Sequence, residues 1–206
     1  MRRNIIITGA DGALGSEAVK AFKNKDAYKV HDIFGTDLTD LSNAQKIADQ
    51  HEDIDVLINI AGGFLWKEIK DSVFEDFNAQ FNMNFKTMYN MTMATLAKIE
   101  KSQNGRIINI GAKGAIIAEP GMAAYAASKS AVMRFTEALA AETPDTMTVN
   151  AILPSIIDTP ANRNDMPDAD FSKWVTVNEL VNQLSFLASE QSSGINGALI
   201  PVIGRV

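Results

Sequence analysis

Tyr125 and Lys129 stand four residues apart in Tyr125-Ala126-Ala127-Ser128-Lys129, inside a stretch rich in helix formers. On a helix this spacing leaves the two side chains roughly 40° apart on one face, so an ammonium can sit beside a phenol. A free phenol titrates at about pH 10, and a neighbouring positive charge lowers that value. The pair can therefore act as a tuned proton donor. Taken alone, a Tyr and a Lys at this spacing also serve as plain surface neighbours, so the rest of the chain must decide between the two uses.

A second chemical signal is Thr8-Gly9-Ala10-Asp11-Gly12-Ala13-Leu14-Gly15, which follows a β-branched run and opens a helical one. Gly9, Gly12 and Gly15 let the backbone turn tightly and approach a pyrophosphate, and the N-terminus of the following helix favours its charge. A plain turn uses the same residues. No Gly-Lys-Ser/Thr follows, which disfavours a Walker-type phosphate loop. A dinucleotide site also needs an acid about twenty residues on, at the end of the second strand, to accept from ribose hydroxyls. Asp32 is placed for this, and Asp37 with Leu38 is a second candidate on the adenine side. A carboxylate facing a 2′-phosphate repels it, so Asp32 predicts NAD(H) in preference to NADP(H). NADP(H) stays open, with Lys29 as the cation to offset the charge.

These residues need a scaffold, and the hydrophobic pattern describes one. Asn4 to Thr8, Tyr28 to Phe34, Ile54 to Ile60, Arg106 to Ile110, Met147 to Leu153 and Ala198 to Ile203 read as strands. Several are apolar almost throughout, as parallel strands covered on both faces are. Ala13 to Lys23, Ser42 to Gln50, Val73 to Lys101, Gly121 to Glu142 and Asn178 to Ser189 read as helices, with Asp40 and Ser42 offering cap chemistry to the second. The alternation predicts an α/β fold, a doubly wound parallel sheet with helices on both faces. No repeat or linker divides the 206 residues, so one domain over 1–206 is expected. The stretch 154–174, broken by three prolines, is expected to be a loop covering the carboxyl edge of the sheet.

Composition removes other classes. Apolar residues make up 46% and charged residues 21%, with a mean hydropathy of -0.03, which excludes intrinsic disorder. A net charge of -6 argues against a nucleic-acid partner. With no cysteine and only His31 and His51, no metal site is expected; the histidines read as surface residues. The apolar run after Met1-Arg2-Arg3 is too short for an export signal, and no membrane-spanning stretch occurs, so a cytoplasmic protein without membrane contact is expected. Met83, Met88, Met91 and Met93 read as core or helix-interface filler.

The Gly-rich turn, Asn59-Ile60-Ala61-Gly62, Asn84, Tyr125-x-x-x-Lys129 and the Pro154 to Thr159 turn fall in an order and spacing that resembles the short-chain dehydrogenases/reductases, across essentially the whole chain. The resemblance implies a Rossmann-type domain and a small-molecule substrate. It assigns proton exchange to Tyr125, the nicotinamide ribose to Lys129, and a water-linked proton path to Asn84. Gly9, Asp11, Gly12, Leu14, Gly15, Asp32, Asp37, Leu38, Asn59, Ala61, Gly62, Tyr125, Lys129 and Pro154 would contact the dinucleotide, with Ile157 and Thr159 at the carboxamide. Dimers or tetramers through the helices Val73 to Lys101 and Gly121 to Glu142 are implied as well.

Two departures narrow the resemblance. The central glycine is Gly12, with Ala13 in the sixth position, and the family's catalytic serine falls on Ala112. Losing a donor to a developing oxyanion costs on the order of 100-fold in rate, which disfavours ordinary ketone chemistry. Both departures match one group in the family, the dihydropteridine reductases. Gly12-Ala13-Leu14-Gly15, Ala61-Gly62-Gly63, Gly111-Ala112-Lys113-Gly114-Ala115 and Pro120-Gly121-Met122 follow that group's pattern. So do Leu153-Pro154, Asp158-Thr159-Pro160, Asn162-Arg163, Met166-Pro167, Ala169-Asp170-Phe171 and Trp174. The implied reaction is NADH-dependent reduction of a quinonoid dihydropterin, with Ala112, Trp66 or Phe64, and Asn162 around the pterin. A general carbonyl or alcohol oxidoreductase and a non-catalytic dinucleotide-binding protein are the alternatives. Ala112 discriminates the first from the second, and the Tyr125 phenol has no use in the third.

Overall fold

The computed structural model describes residues 2–205; Met1, which opens the basic start of the chain, and Val206 lie outside the described residues. In chain order the elements are β1 (Arg3–Thr8), α1 (Ala13–Lys23), β2 (Tyr28–Ile33), α2 (Leu41–Asp49), β3 (Val56–Asn59), α3 (Phe74–Gln80), a π-helical turn (Phe81–Lys86), α4 (Thr87–Ile99), β4 (Gly105–Ile110), α5 (Ala123–Glu142), β5 (Met147–Pro154), β6 (Ile157–Asp158), α6 (Pro160–Asp165), β7 (Val175–Thr176), α7 (Val177–Leu187) and β8 (Leu199–Val202). Six strands form one parallel sheet in the order β2-β1-β3-β4-β5-β8.

Strand pleating explains why the runs are apolar throughout. Ile5 and Ile7 pack under α1 and α7 with Leu14, Phe22, Leu180 and Leu184. Ile6, Leu57 and Ile107 point to the other face, against Ala44 of α2 and Met91 of α4. Successive residues thus serve opposite layers, and neither face of these strands meets water. Asp40 caps α2 by accepting from the Ser42 N–H at 2.8 Å. Among the described residues, no helix is long and apolar enough to cross a membrane.

The chain winds from β1 outward to β2, then crosses back to β3 on the far side of β1. Winding reverses between β1 and β3, and a crevice opens there at the carboxyl edge.

Two expected elements take a different form. The helix read over Val73 to Lys101 is three pieces, with a π-helical turn between α3 and α4. Widening the helix for one turn carries Asn84 inward against α5, and such turns concentrate at functional sites. The stretch 154–174 is more ordered than a loop. Thr159 caps α6 by accepting from the Asn162 N–H, Pro160 takes its first turn, and β6 pairs with β7. Arg163 grips Asp158 through two hydrogen bonds of 2.6 and 2.8 Å and lies 4.7 Å above the Phe171 ring, which packs on the buried Trp174.

Candidate active site

The crevice is built first from backbone. Thr8 ends β1, and its Oγ1 accepts from the N–H groups of both Ile60 and Ala61 at 3.1 Å, tying the two strand ends together. Sequence reasoning assigned Thr8 nothing; a hydroxyl at a strand end facing a Gly-rich turn was the available signal. Gly9 has φ +64°, and a Cβ there would lie 2.8 Å from the Ala61 nitrogen. A Cβ on Gly15 would lie 2.0 Å from the Gly9 carbonyl oxygen, so α1 approaches the turn as closely as backbone allows. Gly12 caps α1 without any side-chain hydrogen bond, and Asp11 is exposed beside it. A cavity of about 340 Å³ opens next to Ala61, lined by Thr36, Asp37, Leu38, Asn82 and Met83. Asp37 accepts from the Thr39 N–H and hydroxyl at 2.9 and 2.6 Å, bonds that hold its carboxyl below the usual range.

Three residues expected on this side have side-chain surroundings that come from distant segments. Asp32 pairs with Ile7 one residue before the strand end, and its carboxylate lies 3.2 Å from Lys23 Nζ of α1, an ion pair with a neighbouring helix. Asn59 is buried beneath the crevice. Its Nδ2 donates to Asn109 Oδ1 and Thr92 Oγ1, and Asn109 donates to Thr136, so the side chain joins the sheet to α4 and α5. The Leu14 side chain belongs to the core under α1, which leaves only its backbone to meet a ligand. His31 and His51, read as surface residues, are half-buried with ring centroids 3.9 Å apart.

On the other side of Gly62, the structure brings Asn84 and Lys129 together, with Tyr125 one turn before Lys129 on α5. A Cβ at Gly62 would lie 2.6 Å from Asn84 Oδ1 and 3.4 Å from Lys129 Nζ, so the strand exit threads between them. Asn84 Oδ1 accepts from the Gly63 N–H at 2.9 Å, and its Nδ2 donates to Ser128 Oγ and Gln80 Oε1. Lys129 Nζ donates to the Ile110 carbonyl at 2.8 Å. Tyr125 is half-buried with the exposed Phe64 edge-on to it, centroids 4.9 Å apart.

The electrostatics differ from a phenol lowered by its lysine. Burial pushes Tyr125 up to about 12 and Lys129 down to about 8, because desolvation disfavours the charged form of each. Lys129 lowered from 10.5 to about 8 means that folding disfavours its charge by roughly 3 kcal/mol. Below pH 8 the burden is fully present; between about 8 and 10.5 the unfolded chain binds more protons, so stability rises with pH. Lys129→Met is therefore expected to raise the melting temperature at pH 7, with the gain shrinking as pH approaches 10. An equal gain at both pH values in parallel thermal melts would contradict this.

Ala112 is buried at the end of β4 and carries no donor. Trp66 leans over Gly121, donating from Nε1 to the Pro120 carbonyl at 3.0 Å, and the Lys67 N–H donates to the Gly121 carbonyl. Pro154 is buried at the end of β5, and Ile157 is half-buried in β6. Asn162, expected at a substrate, donates from Nδ2 to the Ile157 carbonyl at 2.7 Å, a bond that ties α6 to β6. Met88 and Met91 are core, whereas Met83 lines the cavity and Met93 is exposed.

A parallel doubly wound sheet with a Gly-rich turn at its reversal point and a Tyr-x-x-x-Lys helix across the crevice defines a Rossmann-type oxidoreductase. The chain belongs to the short-chain dehydrogenase/reductase family: the short chain dehydrogenase family model matches residues 30–170. A 3-oxoacyl-(acyl-carrier-protein) reductase of Thermotoga maritima is 31% identical over 172 residues, 78% of this chain and 69% of its own. A dihydropteridine reductase of Dictyostelium discoideum is 28% identical over 221 residues, 97% of this chain and 94% of its own. Among solved structures, the ligand-free aldohexose dehydrogenase of Thermoplasma acidophilum superposes with a TM-score of 0.89 at 22% identity, covering 99% of this chain and 94% of that one. ElxO with NADP bound gives 0.88 at 24% identity, covering 99% and 98%.

Proposed function

We propose that the protein reduces a quinonoid dihydropterin to the tetrahydropterin, adding one hydride and one proton while NADH becomes NAD+. Ala112 carries this reading. A ketone needs two donors on its oxygen, and the site has the Tyr125 phenol but an alanine where the second hydroxyl would stand. A flat pterin with its own ring nitrogens needs no such donor, and the methyl leaves it room.

The crevice fits a nicotinamide dinucleotide. Gly9 and Gly15 admit no Cβ, the α1 N-terminus is free of a side-chain cap, and the cavity at Asp37 and Leu38 lies beside the strand exit at Ala61. A bound dinucleotide supplies the hydride. The backbone of Gly9 to Gly15 faces the pyrophosphate, with Asp11 at its rim. Asp37, Leu38 and Ala61 take the adenosine, Lys129 the nicotinamide ribose, and Pro154, Ile157 and Thr159 the carboxamide side. Tyr125 holds its proton at neutral pH and delivers it at Oη. The stretch 154–174, braced by Asp158 and Arg163, serves as the lid. Among the described residues the cavity lining holds Asp37 and no Lys or Arg, with Lys86 acting on Asp37 from outside it, so NADH is expected to bind more tightly than NADPH in a fluorescence titration, and the reverse order would overturn the preference. The exposed Tyr89 and Met93 on α4 support the reading that copies of the chain meet through the helices of 73–101 and 121–142.

Carbonyl reduction is the second reading, favoured by the 3-oxoacyl reductases among the relatives. Ala112→Ser separates the two. It is expected to leave dihydropterin turnover equal or slower, and to raise ketone turnover from a low base by supplying the absent donor. Brisk ketone reduction by the unaltered protein would favour the second reading.

A further inference from the structure

We infer that Gln80 is a positioning residue for this site, setting the orientation of the Asn84 amide; the inference rests on the site roles proposed above for Asn84 and Lys129. Gln80 is the last residue of α3, and a glutamine that is 1% exposed among packed helices needs a reason. Its Oε1 accepts from Asn84 Nδ2 at 3.2 Å, one step before the π-helical turn.

The hydrogen bonds around Asn84 run in one direction. The Gly63 N–H can only donate, so Asn84 must present Oδ1 to it, and both hydrogens of Nδ2 then face α3 and α5. On α5, the Ser128 hydroxyl donates to the Tyr125 carbonyl at 2.7 Å and so offers Asn84 a lone pair. On α3, Gln80 offers the other acceptor. Turning the amide over would set Nδ2 against the Gly63 N–H, donor to donor. Without the Gln80 oxygen, the present orientation leaves a buried N–H unpaired, and neither orientation is fully satisfied. The consequence reaches the chemistry because Gly62 lies against both groups: a Cβ there would meet Asn84 Oδ1 and Lys129 Nζ. A loosened amide frees the strand exit at Gly62 and Gly63, while Lys129 stays on the Ile110 carbonyl.

Two variants of nearly equal length separate an acceptor from mere packing. Gln80→Met keeps the volume and removes the oxygen; Gln80→Glu keeps an acceptor. The first readout needs no cofactor: hydrogen exchange of the Gly63 amide in 15N-labelled protein. The second is kcat and KM with NADH and a quinonoid dihydropterin. In Gln80→Met, Gly63 is expected to exchange roughly tenfold faster and kcat to fall by about as much, with the KM for NADH changing far less. Gln80→Glu restores Gly63 protection and most of kcat. A Met variant with wild-type exchange, or a Glu variant as impaired as Met, overturns the inference. Should Gln80→Met fail to fold, Ser128→Ala removes the other acceptor and must show the same Gly63 signature. Asn84→Ala keeps the two ideas apart: if it turns over normally the proposed site roles fail, while Gly63 exchange still judges the clamp.

Discussion

Tyr125→Phe is expected to lower kcat by roughly 100- to 10,000-fold, the range for loss of a positioned general acid, while NADH affinity stays unchanged. The ring itself is held by groups that the substitution does not touch. Phe64 packs edge-on against it, and Ser128 Oγ donates to the Tyr125 backbone carbonyl. A phenylalanine keeps both contacts, leaves Lys129 on the Ile110 carbonyl and loses only Oη. Burial that pushes the phenol up to about 12 makes it a reservoir that is full at neutral pH. The turnover of Tyr125→Phe should therefore stay low across pH 6 to 9 rather than recover on the acid side. Measuring kcat beside NADH binding tests both halves; full turnover would show that the proton comes from solvent.

The largest effect on stability is expected at Gly15, and Gly12 provides the contrast. In Gly15→Ala the new Cβ would sit 2.0 Å from the Gly9 oxygen and 2.7 Å from the Gly9 carbonyl carbon, both backbone atoms. Either α1 lifts from the sheet or the turn opens, at a cost of about 1–3 kcal/mol or more. At about 2–4 °C per kcal/mol for a chain of this size, the melting temperature falls by several degrees and NADH binding goes with it. Gly12 has φ -74°, and its nearest neighbour would be the Gly9 oxygen at 3.4 Å, an ordinary contact. Gly12→Ala should melt like the parent yet bind NADH poorly, because its methyl stands where the pyrophosphate approaches. Thermal melts with NADH titrations separate the cases. Undiminished NADH binding by Gly12→Ala would place the pyrophosphate elsewhere.

The sheet was legible because its strands are covered on both faces, which forces unbroken runs such as Ile5-Ile6-Ile7 and Leu57-Ile58. The grouping of Asn84, Gly62 and Lys129 was legible through the family resemblance, since their spacing alone leaves other uses open. The π-helical turn was not, because Phe81 to Lys86 contains nothing that punctuates a helix, and the bond from Asn84 to Ser128 of α5 is a tertiary one. Tertiary pairing hid other features too. Lys23 neutralises Asp32 from a neighbouring helix, and Asn59 and Gln80 are polar residues whose partners come from distant segments or the next turn. The order within 154–174 arises from the grip of Arg163 on Asp158 and Phe171, which no local propensity encodes. The phenol shifted opposite to the expected direction because burial, which depends on the tertiary packing around Tyr125, pushes it up.

The central claim is tested most directly by mixing the protein with NADH and a quinonoid dihydropterin generated from its tetrahydropterin, and following NADH consumption against a simple cyclic ketone and a 3-oxoacyl thioester. The account predicts turnover of the dihydropterin at least about 100-fold faster than either carbonyl compound, the factor that one absent oxyanion donor represents. Rapid reduction of a carbonyl substrate with no turnover of the dihydropterin would contradict it.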